Sequence, residues 1–448
     1  MQVQKKEFTT GALISLAVPI VLEAVLMIIT GMIDSVMVSS AGTAAVSGIA
    51  LVDPLMVLVA VSFYAIAAGG AAVTSQYIGS RDMEKAKTSA RQLLYLTLFV
   101  ILSICFVIFW FVPQILKLVY GVIEQAVFEN AKAYFYFCLP GLPFLATATV
   151  CTALMRCMGK SKLAFYLAIG ASLVNIAGNA VLIYGFELGA AGAAIATTFS
   201  RAVWAVVTMI ILHDKKLPVY FEKLLRFELD FSIMGRVMKI GAANGLESGL
   251  FEVGRVLVGR LVASFGTVFI AAQYVASTIC NIGWNMVCSL GTVLLFVVGQ
   301  CIGAGKPEQA KSYSKKMIVI GNIMVLVYFG LVFLLRQPLA SLFDFEQETL
   351  SVAGRFTGLG ALVAIVTFYG CAFVPVSAFR AAGDVKYSVT LAIFSMFAFR
   401  VGLSYLLNAL LDLGLYSVWI GMGVDWIFRS VHNIIHFHRG KWLTKKLI

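Results

Sequence analysis

Residues Asn244–Arg260 read NGLESGLFEVGRVLVGR and lie within an apolar run from about Ile233 to Ala263, yet they carry Glu247, Glu252, Arg255 and Arg260. A charge near the centre of a bilayer costs roughly 3 kcal/mol or more, so such residues are rare and face a cavity or a partner. Subtracting 224, half the chain length, places Leu246-Glu247 on Leu22-Glu23 of the first apolar run. The same shift places Gln300-Cys-Ile-Gly303 on Gln76-Tyr-Ile-Gly79, and Arg380, Gly383 and Lys386 on Arg156, Gly159 and Lys162. The chain is a two-fold internal repeat.

Composition sets the class. With 60% hydrophobic and 12% charged residues and a mean hydropathy of +0.94, the chain is unlike a soluble domain, in which about 25% of residues are charged. Twelve apolar runs of spanning length recur, at about 10–38, 48–76, 92–113, 131–155, 163–186, 189–212, 233–262, 267–300, 317–336, 351–379, 387–411 and 414–436. An all-α integral membrane protein follows. The first run is too long for a cleavable signal and holds Glu23 and Asp34, so it is expected to remain as the first span.

A net charge of +12 could mean nucleic acid, but 26 of the 34 basic residues fall in alternate connections. These are Lys5 and Lys6, Arg81–Arg91, Arg156–Lys162, Lys215–Lys239, Lys306–Lys316, Arg380–Lys386 and Arg429–Lys446, with Lys117, Arg336 and Arg355 in the loops between. The positive-inside rule then puts both termini in the cytoplasm and makes the number of spans even. The basicity is topological. The eight cysteines have neither paired nor metal-ligand spacing and read as small hydrophobes.

In the first half, Glu23 and Asp34 are eleven residues apart, about three turns along one helical face. Asp34 reads either as a cap near a helix end or as a buried carboxylate that takes a cation or proton. Asp53-Pro54 reads as a helix N-cap followed by proline at the first position. The turn Gly79–Lys87 and its copy Gly303–Lys311 lack the strand and the GK[ST] of a phosphate loop. In the fifth span Asn175 and Asn179 stack at i,i+4. The sixth opens with GAAGAAIA and then Thr197, small residues that allow close helix approach. A carboxylate, two amides and a hydroxyl suit Na+, and interhelical hydrogen bonding is the alternative.

The charged segment His213–Arg236 falls at the middle of the repeat. It divides the chain into a first lobe at 1–212, a cytoplasmic linker at 213–232 and a second lobe at 233–448 with a basic tail. Beyond it, Glu252 and Arg255 can pair at i,i+3, whereas Glu247 has no basic residue one turn away and lies about 140° around the helix from Glu252. Asn281, Trp284 and Asn285 of the eighth span replace Val57, Ala60 and Val61 of the first half. Arg201, Arg400 and Asp425 are further buried charges or end-of-helix snorkellers.

Together these features resemble the multidrug and toxic compound extrusion (MATE) family, within the multidrug/oligosaccharidyl-lipid/polysaccharide flippase superfamily. The resemblance rests on IDSVMVSSAG around Asp34 and on the pair QYIGSRDMEKA and QCIGAGKPEQA. It also rests on LMRCMGKSK with AFRAAGDVK, on NIAGNAVLIYGF leading into LGAAGAAIATT, and on the two glutamates of the seventh span. It covers nearly all 448 residues. It implies two pseudo-symmetric six-helix lobes around a central cavity and alternating access. It implies a cation-coupling site, for Na+ or H+, at Asp34, Asn175, Asn179 and Thr197. It makes Glu247 and Glu252 the acidic groups of the second lobe, with Asn281, Trp284 and Asn285 beside them in a substrate site. Many members of the family carry Asp where Asn179 stands, and an acidic residue is expected where the tenth span has Tyr369.

An enzyme is not expected, because His213, His432, His436 and His438 all lie at the cytoplasmic edge and no catalytic constellation or metal spacing is present. A channel would not require the doubled, charged midplane. The expectation is an antiporter of the bacterial inner membrane that works as a monomer, without cofactor or nucleic acid. It expels organic, cationic amphiphiles in exchange for H+ or Na+. The other reading is a flippase for a lipid-linked or anionic substrate, which predicts a cavity dominated by Arg and Lys.

Overall fold

The protein is described by a computed structural model covering residues 9–448 except 41, 122, 123, 223, 225, 227, 344 and 446, so Lys5, Lys6, Lys223 and Lys446 of the charge pattern lie outside it. Helices follow one another with no strand among the described residues. They are α1 Thr10–Ser39, α2 Thr43–Gly79, α3 Met83–Tyr120, α4 Gln125–Cys138, α5 Gly141–Cys157, α6 Ser161–Asn179, α7 Gly189–Leu212 and α8 Phe231–Ala263. Then come α9 Thr267–Gly303, α10 Pro307–Leu334, α11 Arg336–Ala340, α12 Gln347–Val366, α13 Tyr369–Ala382, α14 Val385–Ser395, α15 Ser404–Leu411 and α16 Leu415–Arg439.

Nine spans among the described residues are long and apolar enough to cross a membrane, and α4 with α5, bent by 44°, makes a tenth. The remaining two of the twelve are α8 and α16, whose charges set them apart: Glu247, Glu252 and Arg255 in one, Asp425 and Arg429 in the other. The fifth and eleventh spans each contain a wide π-helical turn, Ala180–Gly185 after α6 and Met396–Leu403 between α14 and α15. Such turns rotate the following side chains out of α-helical register and are frequent at functional sites.

The chain forms two compact units, Ile14–Gly245 and Leu246–Ile448, the second including residues 9–13 at the start of α1, and it passes from the first to the second inside α8. In the first, α2 packs on α3, α4 and α5. In the second, α9 packs on α10, α12 and α13, the same set displaced by the repeat. The segment expected as a linker is anchored in the first unit. Leu217, Val219 and Phe221 are buried. Tyr95 donates to the Leu224 and Arg226 carbonyls, Gln92 donates to the Glu228 carbonyl, and Arg91 pairs with Glu228 at 2.9 Å. A run of LPVYF cannot stay in water when an apolar face is available to cover it.

Two breaks are tied down by side chains. Asp53 is not a helix cap, because α2 begins ten residues earlier; its carboxylate accepts from Tyr134 at 3.0 Å from within the helix. Pro54 is therefore internal, and the nearby Leu51 carbonyl accepts from Tyr120 at 2.6 Å. Between α12 and α13 the chain turns through Phe368, whose φ of 50° is left-handed. Ser430 of α16 donates to the Thr367 and Phe368 carbonyls, at 2.7 and 3.2 Å, and Asn433 donates to that of Ala372 at 2.7 Å. Inside a membrane such freed carbonyls need protein donors, and these residues supply them.

Close approach in the first unit depends on Gly69. A Cβ there would lie 2.8 Å from the Val237 carbonyl and 3.0 Å from the Gly241 amide of α8, both backbone atoms that cannot yield. Gly69→Ala is expected to cost about 1–3 kcal/mol by forcing two helix backbones apart. Gly235→Ala on α8, where a Cβ meets nothing within 4 Å, should leave stability unchanged or slightly raised. Melting temperatures of the two purified variants in detergent test this; equal melting would mean that the contact is not tight.

Candidate ion and substrate sites

The polar residues of the first unit converge. Asp34 lies inside α1, with helix continuing to Ser39, and so is not an end cap. Asn179 Nδ2 donates to Asp34 Oδ1 at 2.7 Å. The Asn175 amide, turned so that its NH2 faces the carboxylate, donates at 2.9 and 3.1 Å to the two Asp34 oxygens, and its carbonyl accepts from Thr197 Oγ1 at 3.2 Å. Three spans thus meet at one carboxylate. Asn175 and Asn179 share a face at i,i+4, and the π-turn begins directly after Asn179. Asn179 Oδ1 is buried and without a hydrogen-bond partner. The cluster holds a single negative charge wrapped by two amide donors, and it contains oxygen atoms that could face a bound cation once the amides rotate.

The repeat produces an ion pair in each unit. Arg156 Nη2 donates to both oxygens of Glu23, at 2.6 and 2.7 Å. Arg380 Nη2 donates to Glu247 at 2.6 Å. Each arginine sits in the last turn of its helix, and each helix is closed by a glycine in the left-handed region, Gly159 (φ 76°) and Gly383 (φ 95°). A β-carbon is disfavoured at that angle, so glycine there ends the helix and places the arginine. The expectation that Glu247 is the freer carboxylate is therefore corrected. It follows from one helix taken alone, and the partner comes from another.

Glu252 pairs with Arg255 at 3.0 Å as the spacing implies, but both side chains are largely exposed, at 42% and 62%, so this is not a buried pair. Asn285 donates to the Asn281 carbonyl and side chain within one helix, at 2.9 and 3.2 Å. Trp284 packs edge-on against Phe373 and Tyr369, with centroids 4.5 and 6.1 Å away. Neither glutamate shares a hydrogen bond or ion pair with these three among the described residues. Tyr369, where the resemblance leads one to expect an acid, is buried in an aromatic group with Phe373 and Trp426, each with its ring centroid 4.7 Å away.

One cluster is only partly legible in the sequence, which offers Arg400 and Asp425 as buried charges but not Arg429. Arg429 falls with the basic tail in the charge pattern, yet it is buried and its Nε donates to Asp425 at 2.8 Å, while Arg400 lies 3.3 Å from the other carboxylate oxygen. The i,i+4 spacing of Asp425 and Arg429 is the signal that could have found it.

The MatE family model matches residues 19–181 and again 240–406, the two halves of the internal repeat. The chain belongs to the MATE family. Members of this family are membrane transporters, not enzymes. Over 447 residues the chain is 26% identical to an uncharacterized transporter, YisQ, of Bacillus subtilis, covering 97% of this chain and 96% of that one. Over 443 residues it is 22% identical to a probable multidrug resistance protein, NorM, of Thermotoga maritima, covering 97% and 94%. Its fold matches a MOP superfamily transporter of Pyrococcus furiosus with a TM-score of 0.91 at 20% identity, over 99% and 98% of the two chains. An outward-facing structure of a multidrug resistance MATE family transporter also matches at 0.91, at 19% identity and over 99% and 98%.

In this MATE protein the two deep ion pairs should carry more stability than the exposed one. Removing one partner of a buried pair leaves a stranded charge, so Glu23→Gln and Glu247→Gln should each cost on the order of 3 kcal/mol. Glu252→Gln should cost less than about 1 kcal/mol, as for exposed pairs. Thermal unfolding of the three purified variants checks the ranking. A Glu252→Gln that melts lowest would reverse it.

Proposed function

We propose that this protein is a secondary active exporter that expels organic, cationic amphiphiles in exchange for H+ by alternating access, with Asp34 as the coupling group. The observation that carries the reading is the convergence of Asn175, Asn179 and Thr197 on one carboxylate within the span-forming part of the first unit. Glu23 is neutralised by Arg156, which leaves Asp34 without an ion-pair partner among the described residues. A cation, whether proton or drug, is attracted to that charge, and two ligands that need the same carboxylate exclude one another. Exclusion of this kind is the minimum requirement for exchange.

Both amides present N–H groups to Asp34, which match an ionised carboxylate better than a bound Na+. Asn179 Oδ1, buried and unpartnered, favours a second reading, since it and Thr197 could ligate Na+ after the amides turn. Reconstitution separates the two. With a pH gradient and no Na+, wild-type proteoliposomes should exchange tetraphenylphosphonium and Asp34→Asn should not, while binding of a neutral amphiphile is kept. Exchange that requires Na+ would transfer the site to the second reading. Full activity in Asp34→Asn would remove the carboxylate from coupling altogether.

The charge pattern of the connections supports a location in the bacterial inner membrane with both termini in the cytoplasm. The self-contained pairing within each unit is consistent with function as a monomer. A single cysteine replacing Lys216 in a cysteine-free background should react with an impermeant maleimide only in everted vesicles. Reaction in intact cells would invert the topology.

A further inference from the structure

The second unit contains a charge imbalance that the coupling site does not use. Arg400, Arg429 and Asp425 are all buried, at 8%, 5% and 0% exposure, so two guanidinium groups share one carboxylate. Arg429 is engaged on two sides: its Nε donates to Asp425 Oδ1 at 2.8 Å and its Nη2 to the Ala392 carbonyl at 2.9 Å. Arg400 is not. Its Nε lies 3.3 Å from Asp425 Oδ2 without hydrogen-bond geometry, and its side chain donates no hydrogen bond to any described residue. A guanidinium carries five N–H donors, and leaving them unanswered in a buried setting is costly.

Among the described residues no other carboxylate pairs with Arg400. Glu247 is held by Arg380 and Glu252 by Arg255. Instead the Arg400 guanidinium lies over Phe251, 5.0 Å to the ring centroid, and near Trp426 at 5.7 Å. The Trp426 indole N–H is itself buried without an acceptor. A π-helical turn, Met396–Leu403, carries Arg400. The repeat adds a contrast, since the position equivalent to Asp425 in the first half is Arg201, and Arg400 corresponds to Ile176. The cluster is therefore particular to the second half and is not a structural device common to both.

We propose that Arg400, braced by the Asp425–Arg429 pair, binds the carboxylate group of aromatic or amphiphilic substrates. One net positive charge is matched by one monoanion, whereas a phosphate dianion would leave the cluster negative. A planar carboxylate meets a guanidinium in two parallel hydrogen bonds, and the Trp426 N–H is a further donor beside it. The aromatic faces that hold Arg400 suit an apolar body attached to that carboxylate. The inference rests on the exporter reading and extends its substrates from cationic amphiphiles to amphiphiles that carry a carboxylate.

The test uses the full-length protein in nanodiscs, with 1-naphthaleneacetate, its methyl ester and tetraphenylphosphonium as probes. Wild type should bind the carboxylate at least 10-fold more tightly than the ester. Arg400→Gln should erase that preference while tetraphenylphosphonium binding stays within about two-fold. Arg400→Lys, which keeps the charge but loses the fork, should retain part of it and guards against misfolding of the glutamine variant. No preference in wild type, or the same preference in Arg400→Gln, overturns the proposal. So does competition by millimolar chloride, which would make the cluster a site for a small inorganic anion. Loss of proton-driven tetraphenylphosphonium exchange in wild type would instead strike the exporter reading, and the binding preference would still report on Arg400.

Discussion

In each half of the chain a glutamate midway along one span is held by an arginine from the last turn before a left-handed glycine, and this repeated pair ties two helices of each unit together. The constraint is dielectric. An ionised group taken out of water loses several kcal/mol of hydration, which is recovered only through a well-placed opposite charge and hydrogen bonds. Glu23–Arg156 and Glu247–Arg380 both satisfy it at equivalent positions 224 residues apart, the first through two carboxylate oxygens and the second through one. Both pairs tie the first helix of a repeat to the helix that packs against the central α2 or α9. The pair is thus a packing element as much as an electrostatic one.

Once those pairs are set aside, what remains is unequal. In the first unit Asp34 is answered only by neutral donors, Asn179 and Asn175. In the second, Arg400 and Arg429 outnumber Asp425. Equivalent positions differ in charge, Arg201 in one half against Asp425 in the other, on a common helical plan. Pairing that is symmetric stabilises the fold, and the asymmetric residue is what an exporter can use for ions and substrates. A protein made wholly of satisfied pairs would have nothing to offer either.

The π-turns fit this division. Each falls in the span that carries the unit's unbalanced polar groups, directly after Asn179 in one case and around Arg400 in the other. Widening one turn displaces side chains that would otherwise point along the helix stripe toward lipid or toward an apolar neighbour. The break at Phe368 serves a related purpose, because it seats Tyr369 among Phe373, Trp284 and Trp426 while Ser430 and Asn433 satisfy the opened backbone.

An all-helical membrane protein built from two repeats is legible from residue order alone, because hydropathy, loop charge and a constant offset of 224 are local or additive properties. The i,i+4 spacing puts Asn175 on one face with Asn179, and the small-residue run of α7 brings Thr197 near them, whereas Asp34 joins the set only through the family resemblance. The sequence even contains both members of each repeated pair, Glu23 with Arg156 and Glu247 with Arg380, as separate matches of the repeat. That they bind each other emerges only when the helices pack. Pairing across 133 residues is set by which helices pack, and one-helix arithmetic cannot see it, which is why Glu247 reads as free and Glu252 as the buried partner. For the same reason Asp53 reads as a cap and Arg429 as part of a cytoplasmic tail: burial and partner choice belong to the packed lobe, not to the order of residues along it.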